Sequence, residues 1–312
     1  MNDKNNEWRN ICYLLINLLF RKKYFFIIIL IIIFRKLYFI KRKTYKYTHS
    51  KIIFSFWEPK GKIPGYLRLC IKTWKKFLPD YELVILDYKT VKEYLGDKLY
   101  SNIICKNMPL SMQADAIRVA LLRKYGGLWM DIDTIILNGN FTKLFERYEL
   151  TMIGEEKYRN QYIGFIFASR NSKILNLWLS HIINKVSEYK YFFNRNVSNS
   201  SKKNITFDYL GNSIINPLLR NNTNRNYLRV DSKRINAFPE RIFIQNISQT
   251  NVEKYRQFYF SKGVPNRILN STKYVILLHN SWTPFKYKNI TEEEFLKQDI
   301  LISKLFAQIL KK

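Results

Sequence analysis

Two aspartates separated by one residue, Asp131 and Asp133, follow a short apolar run, and upstream of them Asp115 and Arg118 stand three residues apart. Carboxylates at i and i+2, delivered from the end of a strand, aim at one point. They suit a hard divalent cation that already carries phosphate oxygens, because Mg²⁺ and Mn²⁺ are commonly held by one or two carboxylates and completed by substrate phosphates and water. An isolated Asp-x-Asp is most often a solvated turn. What distinguishes this one is its setting in residues 112–137, MQADAIRVALLRKYGGLWMDIDTIIL.

The first half of that stretch has helical spacing. Ala114, Ile117, Ala120, Leu121 and Lys124 recur at three- and four-residue steps with no proline between them, so Asp115 and Arg118 project from one helix face about a turn apart. Gly126 and Gly127 supply the permissive backbone that ends a helix. Leu128, Trp129 and Met130 then read as a buried strand, and the two acids sit where it runs out. In an open α/β sheet that edge is where ligands gather.

The elements around this device are expected to be α/β. Residues 52–57 read as a first buried strand, 64–77 as a helix with Pro64 near its start, and 81–86 as a second strand ending at Asp87, which together make a parallel βαβ unit. No Gly-x-Gly-x-x-Gly or Walker loop accompanies it, so neither a dinucleotide fold nor a P-loop enzyme is supported. Further strands are expected at 150–153 and 162–168, and a helix at 174–186. Residues 187–236, rich in Asn, Ser and Lys, read as long loops or a small variable, loop-rich subregion, and Asp208 within it is noted without a role. A late strand at 273–278 delivers His279-Asn280-Ser281-Trp282. Thr291-x-x-Glu294 is a capping box that is expected to open one terminal amphipathic helix carrying Phe295, Ile300, Leu301, Leu305 and Ile309.

Length and charge bound the rest. A chain of 312 residues is long enough to bury a sizeable core, and its formal charge of +29 predicts attraction to something anionic. Three cysteines and three histidines make neither a disulfide framework nor a zinc cluster, and Cys12, Cys70 and Cys105 read as reduced thiols. Between residues 11 and 40 apolar runs alternate with Arg21-Lys22-Lys23 and Arg35-Lys36. The unbroken run at 24–34 is shorter as a helix, about 16 Å, than a bilayer core of roughly 30 Å, so a span needs its basic residues to snorkel. Residues 1–50 are therefore expected to be a retained membrane anchor and residues 51–312 one domain. Lys41-Arg42-Lys43 favours a membrane-associated protein with its catalytic part in the cytoplasm, or lumenal in a Golgi-type orientation if the source is eukaryotic.

Three segments together, IIFSFWEP with LCIKTWKKFLPDYELVILD, ADAIRVALLRKYGGLWMDIDT, and HNSW, resemble the capsular polysaccharide synthesis proteins and the related DXD sugar transferases, such as the Golgi outer-chain mannosyltransferases. The resemblance implies a GT-A-type fold, an α/β domain with a mixed, mostly parallel sheet. It implies a glycosyltransferase using Mn²⁺ or Mg²⁺ to move a sugar from a UDP- or GDP-sugar to a glycan or lipid-linked saccharide, with retention of configuration, and no nucleic-acid partner. By the same resemblance Trp57 stacks on the nucleotide base, and Asp115 and Arg118 hold donor-sugar hydroxyls. Asp131 sits near ribose and metal, Asp133 ligates the metal, and His279, Ser281 and Trp282 close over the diphosphate, with His279 a further possible ligand. The competing classes are a membrane-tethered polyanion or nucleic-acid binder, supported by charge and abundant Tyr and Phe, and a metal-dependent phosphodiesterase, which also uses paired acids.

Overall fold

The computed structural model describes residues 47–155, 160–194, 205–221, 226–245 and 248–311. The expected anchor lies outside them. Among the described residues no helix is long and apolar enough to cross a membrane.

The chain enters through β1 (Ile52–Phe56), crosses over by helix α1 (Gly65–Phe77) and returns in β2 (Glu82–Leu86), which pairs with β1 in parallel from Ile52↔Glu82 to Phe56↔Leu86. This is the βαβ unit that the alternation of apolar runs predicts. Two short helices, Tyr88–Leu95 and Asp97–Ile103, lead to α2 (Leu110–Tyr125) and then to β3 (Gly127–Met130), parallel to β1. After β4 (Thr134–Ile136) come β5 (Leu150–Glu155), β6 (Asn160–Ala168), helix α3 (Lys173–Asn194), helix α4 (Asn212–Asn221) and β7 (Tyr227–Asp231). The last third contains helix α5 (Asn251–Tyr259), strand β8 (Val275–Leu277) and the terminal helix α6 (Leu301–Lys311).

Six strands form one sheet in the order β2-β1-β3-β6-β5-β7, while β4 and β8 form a separate antiparallel pair. The sheet is mixed, as expected: β6 runs antiparallel to both of its neighbours, and the other pairings are parallel. Alternate residues of each strand enter two cores on opposite faces, as the pleat requires. Ile53, Leu128, Met130, Phe165 and Phe167 face α1 and the C-terminal third. Phe54, Trp129, Ile166 and Ala168 face α2 and α3. Helix α2 is buried along nearly its whole length, from Met112 to Leu122, which explains why so few polar residues interrupt it.

Two elements depart from the sequence reading. Residues 187–236 carry more regular structure than their composition suggests: α3 continues to Asn194, α4 follows, and β7 completes the sheet by pairing in parallel with β5. Strand β7 escapes a periodicity reading because all five of its residues are only half-buried. The terminal helix is two helices. The Thr291 box is present, with the Thr291 hydroxyl accepting from Glu294 N–H, but it opens only Glu292–Leu296. The chain then breaks, because Leu301 N–H is drawn to Ser261 O at 2.8 Å and the Ser303 hydroxyl donates to Phe295 O at 2.6 Å.

The C-terminal core contains an acid. Glu240 is fully buried; its Oε2 accepts from the Tyr259 hydroxyl at 3.2 Å, and its Oε1 lies 3.8 Å from Arg241 Nε without a hydrogen bond. Burial pushes the carboxyl up to about 7. Between its unfolded value near 4.5 and about 7 the folded chain holds a proton that the unfolded chain has released. Stability is therefore expected to fall as pH rises through that window and to stay low above it, by on the order of 3 kcal/mol. Denaturant titrations across pH 4 to 8 check this, and Glu240→Gln is expected to flatten the slope.

Candidate active site

The site forms where three parallel strands end together. Phe54 is level with Trp129 and Phe56 with Leu86, so Trp57, Asp87 and Asp131 all leave the sheet at one edge. Asp87 is consumed locally: its carboxylate caps the helix Tyr88–Leu95, accepting from Thr90 N–H at 2.8 Å. Trp57 is half-buried at the rim, with its indole N–H donating to Lys62 O at 3.3 Å.

The expected turn between α2 and β3 is present and depends on its glycines. Gly126 and Gly127 have φ of +71° and +95°, and a Cβ on either would come within 2.6 Å of backbone, Arg170 N in one case and Ile52 O in the other. Only glycine meets both demands.

Arg118 is the hub of the cluster. Its guanidinium reaches Asp115 Oδ1 at 3.1 Å and Asp131 Oδ1 at 3.4 Å, donates to Ile163 O at 2.5 Å, and lies 5.2 Å from the centre of the Trp129 ring. Trp129 Nε1 also donates to Asp131 Oδ1 at 2.9 Å. The side chains of Arg118 and Asp115 are only 5% and 8% exposed, whereas Asp131 keeps 35% of its surface in solvent, so Asp131 is the acid that a ligand meets first. Asp133 is buried, and its Oδ2 accepts from Asn280 N–H at 2.7 Å. That bond, together with Leu278 N–H on Asp133 O at 3.2 Å, brings the HNSW turn to the acidic pair across 147 residues of sequence.

Desolvation dominates the electrostatics. It pushes Asp115 up to about 7 despite the adjacent Arg118 cation, with the charges of Asp131 and Asp208 adding to the rise. It likewise raises Asp133 to about 7, with Asp131 as the next cause. Acids that raise one another in a low-dielectric site are relieved by a cation. Oxygen donors of this kind fit Mg²⁺ or Mn²⁺. Among the described residues no three His, Cys, Asp or Glu side chains are grouped to hold a metal.

His279 sits in an aromatic stack, 5.8 Å from Phe238 with planes 5° apart and 3.8 Å from Trp282, with Tyr255 edge-on. Burial, helped by Arg241, pushes its imidazole down to about 3, so the ring is neutral at pH 7, and Nε2 has no hydrogen-bond partner. Ser281 is exposed and Trp282 half-buried on the short turn Asn280–Trp282. The structure thus brings Asp115, Arg118, Asp131 and Asp133 into one cluster with the HNSW backbone, and places Trp57 on the same sheet edge.

Sequence reasoning missed Tyr162, Gly164 and Gly211. The phenol of Tyr162 is raised by desolvation and by the charges of Asp133 and Asp131. Gly164 accepts Asp131 N–H on its carbonyl at 2.7 Å, and a Cβ there would lie 2.4 Å from Asp131 Oδ2. A Cβ on Gly211 would lie 2.9 Å from Asp115 Oδ2. Glycines in strand or loop sequence could have marked these close approaches. Gly164→Ala is expected to leave the fold cooperative, at a cost of about 1–3 kcal/mol for the overpacked contact, while displacing the Asp131 carboxylate. Divalent-cation affinity, read by Mn²⁺ relaxation enhancement, should drop more than melting temperature alone would suggest.

The fold and this cluster define an α/β domain with an acidic, arginine-braced cluster at the carboxyl edge of its strands. The chain belongs to the capsular polysaccharide synthesis protein family, which matches residues 33–262 and so takes in the α2–β3 device but not the HNSW turn. Two solved structures are similar at low identity. One, described as the PaToxG glycosyltransferase, is 16% identical, covers 84% of this chain and 86% of its own, and has a TM-score of 0.35. The other, the glycosyltransferase GlyE of Streptococcus pneumoniae TIGR4, is 12% identical, covers 85% of this chain and 61% of its own, and has a TM-score of 0.41. A search among curated proteins gave no match.

Proposed function

We propose that this family member is a glycosyltransferase that moves a sugar from a nucleoside-diphosphate sugar, of the UDP or GDP type, to a hydroxyl of a growing glycan or lipid-linked saccharide. The observation that carries the reading is the convergence of Asp131, Asp133, Asp115 and Arg118 at one sheet edge, with Asp131 open to solvent and the Asn280 amide fixed on Asp133. Asp131 and Asp133 would hold Mn²⁺ or Mg²⁺, which when bound supplies a Lewis acid for the diphosphate leaving group.

The remaining roles belong to the chain itself. Asp115, held in place by Arg118, offers its free oxygen to a donor-sugar hydroxyl, and the arginine fork keeps that oxygen aimed. Asn280 N–H, by occupying Asp133 Oδ2, orients that carboxylate. Trp57 provides an apolar face at the rim for a base, and Ser281 and Trp282 would close over the diphosphate from the turn that Asn280 ties to Asp133. Retention of configuration accompanies the resemblance to DXD transferases, and the basic cluster Lys41-Arg42-Lys43 supports a membrane-associated, cytoplasmic placement. Release of nucleoside diphosphate from a panel of UDP- and GDP-sugars, with Mn²⁺ or Mg²⁺, tests the proposal. Turnover of at least one donor is expected; no turnover of any donor with either metal would sink it.

A further inference from the structure

A second surface lies along α5, beyond the residue that packs on the candidate site. One face of α5 carries Tyr255, which packs on His279 and Trp282. One turn further along, Phe258 stacks on Phe243 at 5.8 Å and lines a groove of about 380 Å³. Val264 and Ile268 continue the apolar lining, and Lys262 and Arg267 supply the charge. Val264 is 71% exposed, and Ile242, next to Phe243 in the chain, is 38% exposed. An apolar side chain held as far into water as Val264, at the lip of an apolar groove, marks a contact surface.

The charge around the groove selects the partner. Residues 241–273 hold six Lys or Arg and one acid, Glu253. That acid is used as a helix cap, its Oε2 accepting from Thr250 N–H at 2.7 Å. Arg267 lies 4.2 Å from the centre of the Phe243 ring, so the guanidinium is laid along the apolar wall, and no acidic partner accompanies it among the described residues. Lys262 is 85% exposed and shares Asp299 with Lys304. Apolar side chains flanked by Arg267, which has no acidic partner among the described residues, and by Lys262, which has only a half share in Asp299, match the layered chemistry of a membrane interface, with acyl chains beneath and negative headgroups above. We propose that this face, centred on Val264, docks on the surface of an anionic lipid bilayer, independently of the N-terminal apolar segment and of the transferase reading.

The groove belongs to the C-terminal layer on one face of the sheet, and Leu177, 48% exposed on α3, belongs to the layer on the opposite face. A bilayer touching one does not touch the other. The test uses full-length chain carrying either Val264→Trp or Leu177→Trp, so that any contribution of the N-terminal segment is common to both. Each is mixed with vesicles of phosphatidylcholine alone or with phosphatidylglycerol, containing brominated acyl chains, and the emission is compared with wild type. Val264→Trp should lose most of its added emission on the anionic vesicles, and Leu177→Trp should lose little. Adding Lys262→Glu and Arg267→Glu should return Val264→Trp to the Leu177→Trp level. Equal quenching at the two positions, equal quenching on neutral and anionic vesicles, or burial of Val264→Trp against a second copy in lipid-free solution would overturn the proposal.

Discussion

Asp133→Asn is expected to abolish sugar transfer while leaving the fold at least as stable as wild type. The carboxylate is buried, and desolvation with the neighbouring Asp131 pushes it up to about 7. Neutralising it removes a desolvated charge, and the amide oxygen still accepts from Asn280 N–H, the bond that ties the HNSW turn to the site. Above pH 7 the variant should therefore be more stable than wild type, since an acid whose folded value is raised loses stability as pH climbs through that value. Activity should move the other way. Loss of one of the two carboxylates proposed to hold the cation would remove several kcal/mol of leaving-group stabilisation, on the order of a thousandfold or more in rate. Thermal melts at pH 8 beside donor turnover at the same pH check the pair. A variant that is both unstable and inactive would show that Asp133 is a structural acid.

Arg118→Met is expected to damage stability and function together. Its guanidinium is almost fully buried between Asp115 and Asp131 and also satisfies Ile163 O on β6. Removing one partner of a buried ion pair leaves an uncompensated charge, which typically costs about 3–5 kcal/mol. Part of that cost is recoverable at low pH, because Asp115, already raised to about 7, takes up a proton once its cation is gone. The variant should thus recover stability relative to wild type as pH falls from 8 toward 5, measured by urea titration. Arg118→Lys keeps the charge but loses the planar fork that serves both acids and the carbonyl. It should fold better than Arg118→Met yet bind the donor poorly, visible as a raised KM.

What was readable in the sequence was local, and what was not was long-range. The α2 helix, the glycine turn and the strand that ends in Asp131 lie within one run of 26 residues, 112–137, whose periodicities and breakers name each element in turn. The first βαβ unit was legible for the same reason. The reversed strand β6 was legible as a strand but not as the partner that delivers Tyr162 and Gly164 to the acids, because pairing with β3 is set by tertiary packing rather than by its own pattern. Strand β7 was hidden by even half-burial. The break before α6 depends on Ser261 O, forty residues upstream, accepting from Leu301 N–H. His279 was found by its place at a strand end, yet its stack with Phe238 and Tyr255 draws on two further segments, and no spacing rule brings those together.

The central claim is that Asp131 and Asp133 hold a divalent cation against the diphosphate of a nucleotide-sugar. Calorimetric titration of UDP- and GDP-sugars into the full-length chain, with Mn²⁺ and with chelator, measures it most directly. Binding of at least one donor that appears with Mn²⁺, is lost with chelator and is lost in Asp133→Asn with the fold retained is the predicted result. Donor binding of equal strength with and without the cation, or unchanged in Asp133→Asn, would contradict it.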